Sequence, residues 1–259
     1  MPTYNYDKFW KSFVSKLHFD ILSFGSTDES IAIQASNAMH DLLRSNEIDV
    51  SSQKSPQEFS KHIASGECHS IHFQNSFDAL NNAVGIFIPI SEVNDANAEA
   101  IAKIYTRVIK SKFFDDLRTK KQFGYIVSQQ RSEFFDFHSL QFLIQSEKSI
   151  EEVKSEILQF VDKSIDEFTS MSDEKFSEFV NTEIEIAKTE DNSLHSDFSR
   201  INSQFLRNCF ALNSENFNEH AVTIAALQNL KREVLIESIR KNAIDESTKR
   251  FLCVECSKK

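Results

Sequence analysis

The hydrophobic period changes along this chain, and that change limits the fold more than any other feature. Several runs before residue 146 alternate at period two. Val84, Ile86, Ile88 and Ile90 fall on one face of the segment 83–90, and Leu140, Phe142 and Ile144 on one face of 138–145. Further strands are expected at 17–24, where Leu17, Phe19 and Ile21 share a face, at 68–74, at YIVSQQ (125–130), and at 249–255. Pro89 cannot donate to a ladder, so the strand at 83–90 should end there or lie at an edge. After residue 150 the spacing becomes helical: Ile150, Val153, Ile157, Val161, Ile165 and Phe168 recur on one stripe. Ser172, followed by Asp173 and Glu174, is the expected cap of the next helix. More helices are expected at 4–16, 95–110, 194–209, 215–228 and 231–242. The STDE at 26–29 reads as a capping box, with Ser26 as cap and Glu29 reaching back, opening a helix with Ile31, Ala35, Ala38, Met39 and Leu42 on one stripe. A short helix FFDDLRTKKQF (113–123) should stop at Gly124. Strands paired early and helices packed late predict an α+β fold, a mostly antiparallel sheet with helices on one face.

Glycine and proline are scarce, four and three among 259 residues. Long helices tolerate that; glycine-rich phosphate loops do not. The polar stretch 45–66 reads as a linker, which places a boundary between residues 1–50 and a domain at 51–259. A net charge of −10 repels a phosphate backbone and argues against nucleic acid as a partner. No long apolar window suggests a membrane span, and the first residues lack the basic-then-apolar order of a secretory signal, so a cytoplasmic protein is expected.

Few residues offer chemistry. His69 and His72 form HxxH without a glutamate, in a segment that reads as a strand, where positions three apart diverge. His18, His40, His62, His138, His195 and His220 are scattered singly. Cys68 and Cys209 are isolated, and Cys253 and Cys256 form one CxxC, again in a strand, so structural thiols are expected. No HxxEH, HExxH or GxSxG occurs, so this chain is expected to carry no metal. Adjacent acidic pairs such as Asp115-Asp116 and Glu151-Glu152 diverge on a helix and read as solvated faces. Within FFDDLRTKKQFGYIV (113–127), Arg118 and Tyr125 are donors seven residues apart. On residue types alone, the arginine bridges to a carboxylate and the tyrosine caps a strand.

That segment resembles the F-x-x-L-R-T-K-E-Q-L-G-Y-x-V signature in the C-terminal half of insulysin- and pitrilysin-type (insulinase-like) zinc metallopeptidases. Lys121 stands where the motif usually has Glu, and Phe123 where it has Leu. SLQFLIQSEK (139–148), LNNAVGIFIPI (80–90) and SKLHFDILSFGS (15–26) resemble family strands in the same order. The resemblance implies a C-terminal, zinc-free half closing a peptide-sized chamber against an N-terminal half that binds zinc through HxxEH. It implies that the residue matching Arg118 binds substrate backbone and that the one matching Tyr125 is a catalytic donor to the oxyanion. Residues 1–50 would then be the tail of a preceding domain, the partners a zinc-bearing half and peptide substrates, and the chain inactive alone. The alternative is a non-catalytic peptide-binding or scaffold protein of the same descent.

Overall fold

In a computed structural model, the described residues are 5–14, 21–26, 28–43, 63–90, 96–134, 137–189, 193–211 and 219–259. The chain divides into two compact units, Met1–Ser60 with Glu190–Phe217, and Lys61–Thr189 with Asn218–Lys259.

In the first unit, helix α1 spans Tyr6–Val14 and α2 spans Glu29–Leu43. The cap of α2 is not Ser26. Asp28 Oδ1 accepts from the Ile31 amide at 3.0 Å, leaving Glu29 as the first helical residue. A carboxylate beside the helix start gains both a hydrogen bond and the favourable end of the dipole. The stripe foreseen on α2 is largely open: Ile31, Ala35, Ala38 and Met39 are exposed. Residues 21–24 form no strand, and 17–20 and the expected linker from 45 to 62 lie outside the described residues. A further helix of this unit occupies 194–211.

The second unit is built on one five-stranded sheet. Strand β1 is Cys68–Gln74, β2 Asn82–Pro89, β3 Ile126–Phe134, β4 Phe137–Ser146 and β5 Phe251–Ser257. Their order is β1-β5-β2-β4-β3. Only β1 and β5 run parallel; the other neighbours are antiparallel. The β5 pairing of β2 ends at Phe87, so Pro89 closes the strand against Ser139 of β4 alone, as its missing donor requires.

Register sorts the side chains. Val84, Ile86 and Ile88 pair with Ile144, Phe142 and Leu140, and all six are fully buried. Helix α3 (Ala96–Phe114) and α4 (Ile150–Thr169) cover this face. Tyr105 and Phe113 of α3 meet the Phe142 ring at 6.4 and 5.3 Å, while Phe168 and Phe160 of α4 close on them at 5.7 and 5.0 Å. The buried Tyr105 hydroxyl pairs with Ser164 Oγ at 2.8 Å, and burial pushes its pKa upward. Ser149 caps α4 in a full capping box with Glu152, a signal present in the sequence but not used above. Ser172 caps α5 (Asp173–Lys188) as expected. Helices α7 (Glu219–Asn229) and α8 (Arg232–Ile239) complete the layer, α6 being the 194–211 helix of the first unit. The other sheet face carries Ile71, Val254, Gly85, Leu143 and Ser128 on one register row, and Phe73, Cys256, Ala83, Gln145 and Ile126 on the next. Neither row contains a formal charge, and Ile71, Phe73 and Ile126 are exposed. The fold is α+β with a mostly antiparallel sheet.

Candidate functional site

The segment 113–127 does not form a separate short helix. Helix α3 runs straight into a π-helical turn, Asp115–Lys120. A π turn adds a residue per turn and recurs at functional sites. Within it Leu117 is fully buried and Arg118 half-buried. The Lys121 amide donates to the Asp116 carbonyl at 3.0 Å, and the Phe123 amide to the Leu117 carbonyl at 2.8 Å. The left-handed residue that ends the helix is Gln122, at φ 50°, not Gly124. Gly124 is required for another reason: a Cβ there would lie 1.8 Å from the Gln145 carbonyl oxygen. The backbone crosses the end of β4 too closely for any side chain.

The turn is bolted on several sides. The Ser146 hydroxyl donates to the Phe123 carbonyl. The Phe123 ring is buried, with the Lys148 ammonium 4.1 Å from its centroid. Lys121 pairs with Glu156 of α4. Beside it, Gln145 Nε2 donates to Asp78 at 3.1 Å. The Asn81 side chain, then the Leu80 and Asn81 amides, hold the Asp78 carboxyl well below its usual range, at about 2.

Beyond these bolts Tyr125 stands out, 80% exposed, at the start of β3. The Arg118 guanidinium lies 5.0 Å from its ring centroid and 4.9 Å from that of Phe114. Among the described residues Arg118 meets no carboxylate, contrary to the expectation from residue type alone. Two aromatic faces, worth about 0.5–1 kcal/mol each at exposed sites, hold the plane instead. Stacking occupies the faces of a guanidinium and leaves its N–H edges free to donate. The two residues singled out in the sequence thus come together. Phe114 was missed; its spacing of four before Arg118 on a helix was the available signal.

The other chemistry-bearing residues are used structurally. His69 shares the uncharged face and contacts Glu67 at 3.1 Å; His72 lies on the opposite face, 3.8 Å from Glu255. Cys253 is fully buried, and burial pushes its thiol up to about 12. Cys256 points to the other side, as strand geometry dictates. Among the described residues no group of three or more His, Cys, Asp or Glu side chains converges as a metal site would need, so zinc does not fit the donor set seen here. No helix among the described residues is long and apolar enough to cross a membrane.

Comparison with known proteins agrees with this architecture. Residues 104–202 match the family model described as PQQ synthase PqqF-like, C-terminal lobe domain 4. Over that stretch the chain resembles a C-terminal insulinase-like domain. A Schizosaccharomyces pombe protein described as "Putative zinc protease mug138" is 35% identical over 97 residues, which is 38% of this chain and 10% of that protein. Pitrilysin superposes with a TM-score of 0.72 at 16% identity, over 90% of this chain and 24% of its own. A Helicobacter pylori protease gives 0.65 at 9% identity, over 90% of this chain and 53% of its own. A Pseudomonas fluorescens domain described as a peptidase M16 inactive domain gives 0.56 at 10% identity, over 90% of this chain and 52% of its own. At these identities the three structures speak to fold. The match spans a tenth of that curated relative's length.

Proposed function

We propose that this chain is the peptide-binding C-terminal portion of a zinc metalloendopeptidase, with the zinc held by a separate N-terminal half and no peptidase activity of its own. The observation that carries this reading is the Arg118–Tyr125 pair, in which a half-buried guanidinium lies 5.0 Å from the centroid of the exposed Tyr125 ring. Arg118, held by its faces, directs N–H edges toward the carbonyls of an extended peptide. Tyr125 has its hydroxyl in solvent reach and its backbone fixed by Gly124 and Ser146. Such a hydroxyl can donate to a carbonyl oxygen as it gains negative charge. A donor fixed beforehand loses nothing to reorganisation, and one such donor is worth about 3–4 kcal/mol in a site closed to water. Zinc chemistry polarises the scissile carbonyl and activates water in enzymes of this kind, and on this reading that step belongs to the N-terminal half; among the described residues no group of metal-ligating side chains converges to perform it.

The test is to add a zinc-bearing HxxEH half to the purified chain and follow a fluorogenic peptide. The chain alone is expected to be silent and the mixture active. A mixture that binds peptide through Arg118 yet never cleaves it would favour the non-catalytic peptide-binding reading, and a chain that neither binds nor assists cleavage would overturn both.

A further inference from the structure

Lys121 and Phe123 are the two departures from the family signature, and both sit in the turn that carries Tyr125. Each has found a partner. Phe123 is buried beneath Lys148, and Lys121 reaches across to Glu156, two turns into α4. The Lys121 side chain is 45% exposed and that of Glu156 only 17%, so the carboxylate is fixed by its surroundings and the lysine comes to it. The groove around them is lined by Lys121, Phe123, Lys148, Glu151, Glu152 and Glu156. Its three carboxylates all belong to α4 and outnumber Lys148, the groove's other cation, so it suits a cation from the turn better than an anion. Apart from the Phe123 ring under Lys148, the other ties of the turn run through its backbone, to Leu117, Asp116 and Ser146. The lysine pair joins it to α4 by side chains.

We propose that Lys121 and Glu156 form a positioning pair that anchors the 121–124 turn to α4 and thereby sets where the Tyr125 hydroxyl stands. This rests on the reading of Tyr125 as the oxyanion donor. The pair touches no substrate. Its effect is geometric, and a donor displaced by about 1 Å can cost about a hundredfold in rate. The inference carries a counterintuitive corollary. Lys121→Glu restores the residue usual in the family, yet here it sets a carboxylate against Glu156, with Glu151 and Glu152 in the same groove. The residue usual elsewhere is harmful in this chain, and Glu156→Lys should make it harmless again.

Four proteins decide it: wild type, Lys121→Glu, Glu156→Lys and the double exchange, each studied alone and mixed with a zinc-bearing half. In the full chain alone, amide exchange at Phe123 should be about three- to tenfold faster in each single variant and recover in the double exchange, as coupled charges require. The melting midpoint should move little, because the pair is partly exposed. In the mixture, each single variant should lower kcat about tenfold with KM nearly unchanged, and the double exchange should recover most of it. A purely structural role would move the midpoint, or kcat and KM together. Single variants with wild-type exchange and wild-type kcat would overturn the proposal, as would a double exchange no better than the singles. Tyr125→Phe in the same mixture separates the two layers. If it lowers kcat and the charge variants do not, the pair has no positioning role while the Tyr125 reading stands. If Tyr125→Phe changes nothing, the reading itself fails and the role of the pair fails with it.

Discussion

Two regions of the second unit carry residues that invite a functional reading, and the structure treats them in opposite ways. The parallel pair β1–β5 holds three cysteines, Cys253 and Cys256 of them three apart, and two histidines three apart, residue types that ligate metals and attack carbonyls. Yet Cys253 is buried with its thiol pushed up to about 12, and the histidines point to opposite faces. The 113–127 segment holds an arginine and a tyrosine among ordinary helix and strand residues. There the backbone is pinned at Leu117, Gln122, Phe123 and Gly124, and the polar side chains are turned outward. Reactive residue types in a regular strand are dispersed by its period of two. Modest donors on a rigid, irregular turn are concentrated and aimed. Placement, more than residue type, distinguishes the two regions.

The difference can be broken or sharpened by experiment. Gly124→Ala should have the largest effect, because its Cβ would overlap the Gln145 carbonyl and the turn would have to move. A loss of about 3 kcal/mol is expected, read as a lower urea midpoint. A midpoint unchanged from wild type would mean the turn is not pinned there. Next, Cys253 should react with iodoacetamide at least about a hundredfold more slowly than the exposed Cys68 in the native chain, and at a comparable rate once unfolded. Equal native rates, resolved by peptide mapping, would make β5 accessible and undo the contrast. A smaller effect concerns Asp78, which braces Gln145 beside the turn. Its folded pKa, about 2, lies below the ordinary carboxyl value, so its contribution is present above about pH 4 and is lost as pH falls toward 2. Wild type and Asp78→Asn should therefore differ in urea midpoint at pH 5 and converge near pH 2; parallel curves would refute the assignment. Smallest of all, His69→Ala combined with His72→Ala should change stability by no more than about 0.5 kcal/mol, since both side chains are exposed or half-buried at the edge strand.

Much of the fold was legible because it rests on period. The stripe Val84–Ile90, the alternation Leu140–Ile144 and the helical run from Val153 to Phe168 became the buried core, since one face of each had nowhere else to go, while Ile150, which opens that run, is only partly buried. The irregular parts were not legible. Nothing in DDLRTK marks a π turn, since Phe113 and Leu117, four apart, would share a buried face on an ordinary helix as well. Gly124 reads as a helix stop because stops are the usual use of glycine; its contact with Gln145 spans some twenty residues and leaves no local trace. Asp28 outcompeted Ser26 as a cap by a choice of start that sequence leaves open within a turn. At the candidate site, sequence identified Arg118 and Tyr125 through a motif, but not that Arg118 would lie within 5.0 Å of the Phe114 and Tyr125 ring centroids with no carboxylate partner among the described residues.

The most direct measurement is the turnover of a fluorogenic peptide by this chain mixed with a zinc-bearing half, comparing Tyr125→Phe, Arg118→Ala and His72→Ala at matched folding by circular dichroism. Tyr125→Phe removes one exposed hydroxyl, so kcat should fall by about two to three orders of magnitude with little change in KM. Arg118→Ala should raise KM as well as lower kcat, because on the proposed reading Arg118 would hold the peptide in both ground and transition states. His72→Ala should match wild type. A Tyr125→Phe mixture that turns over peptide as fast as wild type would contradict the role given to this turn.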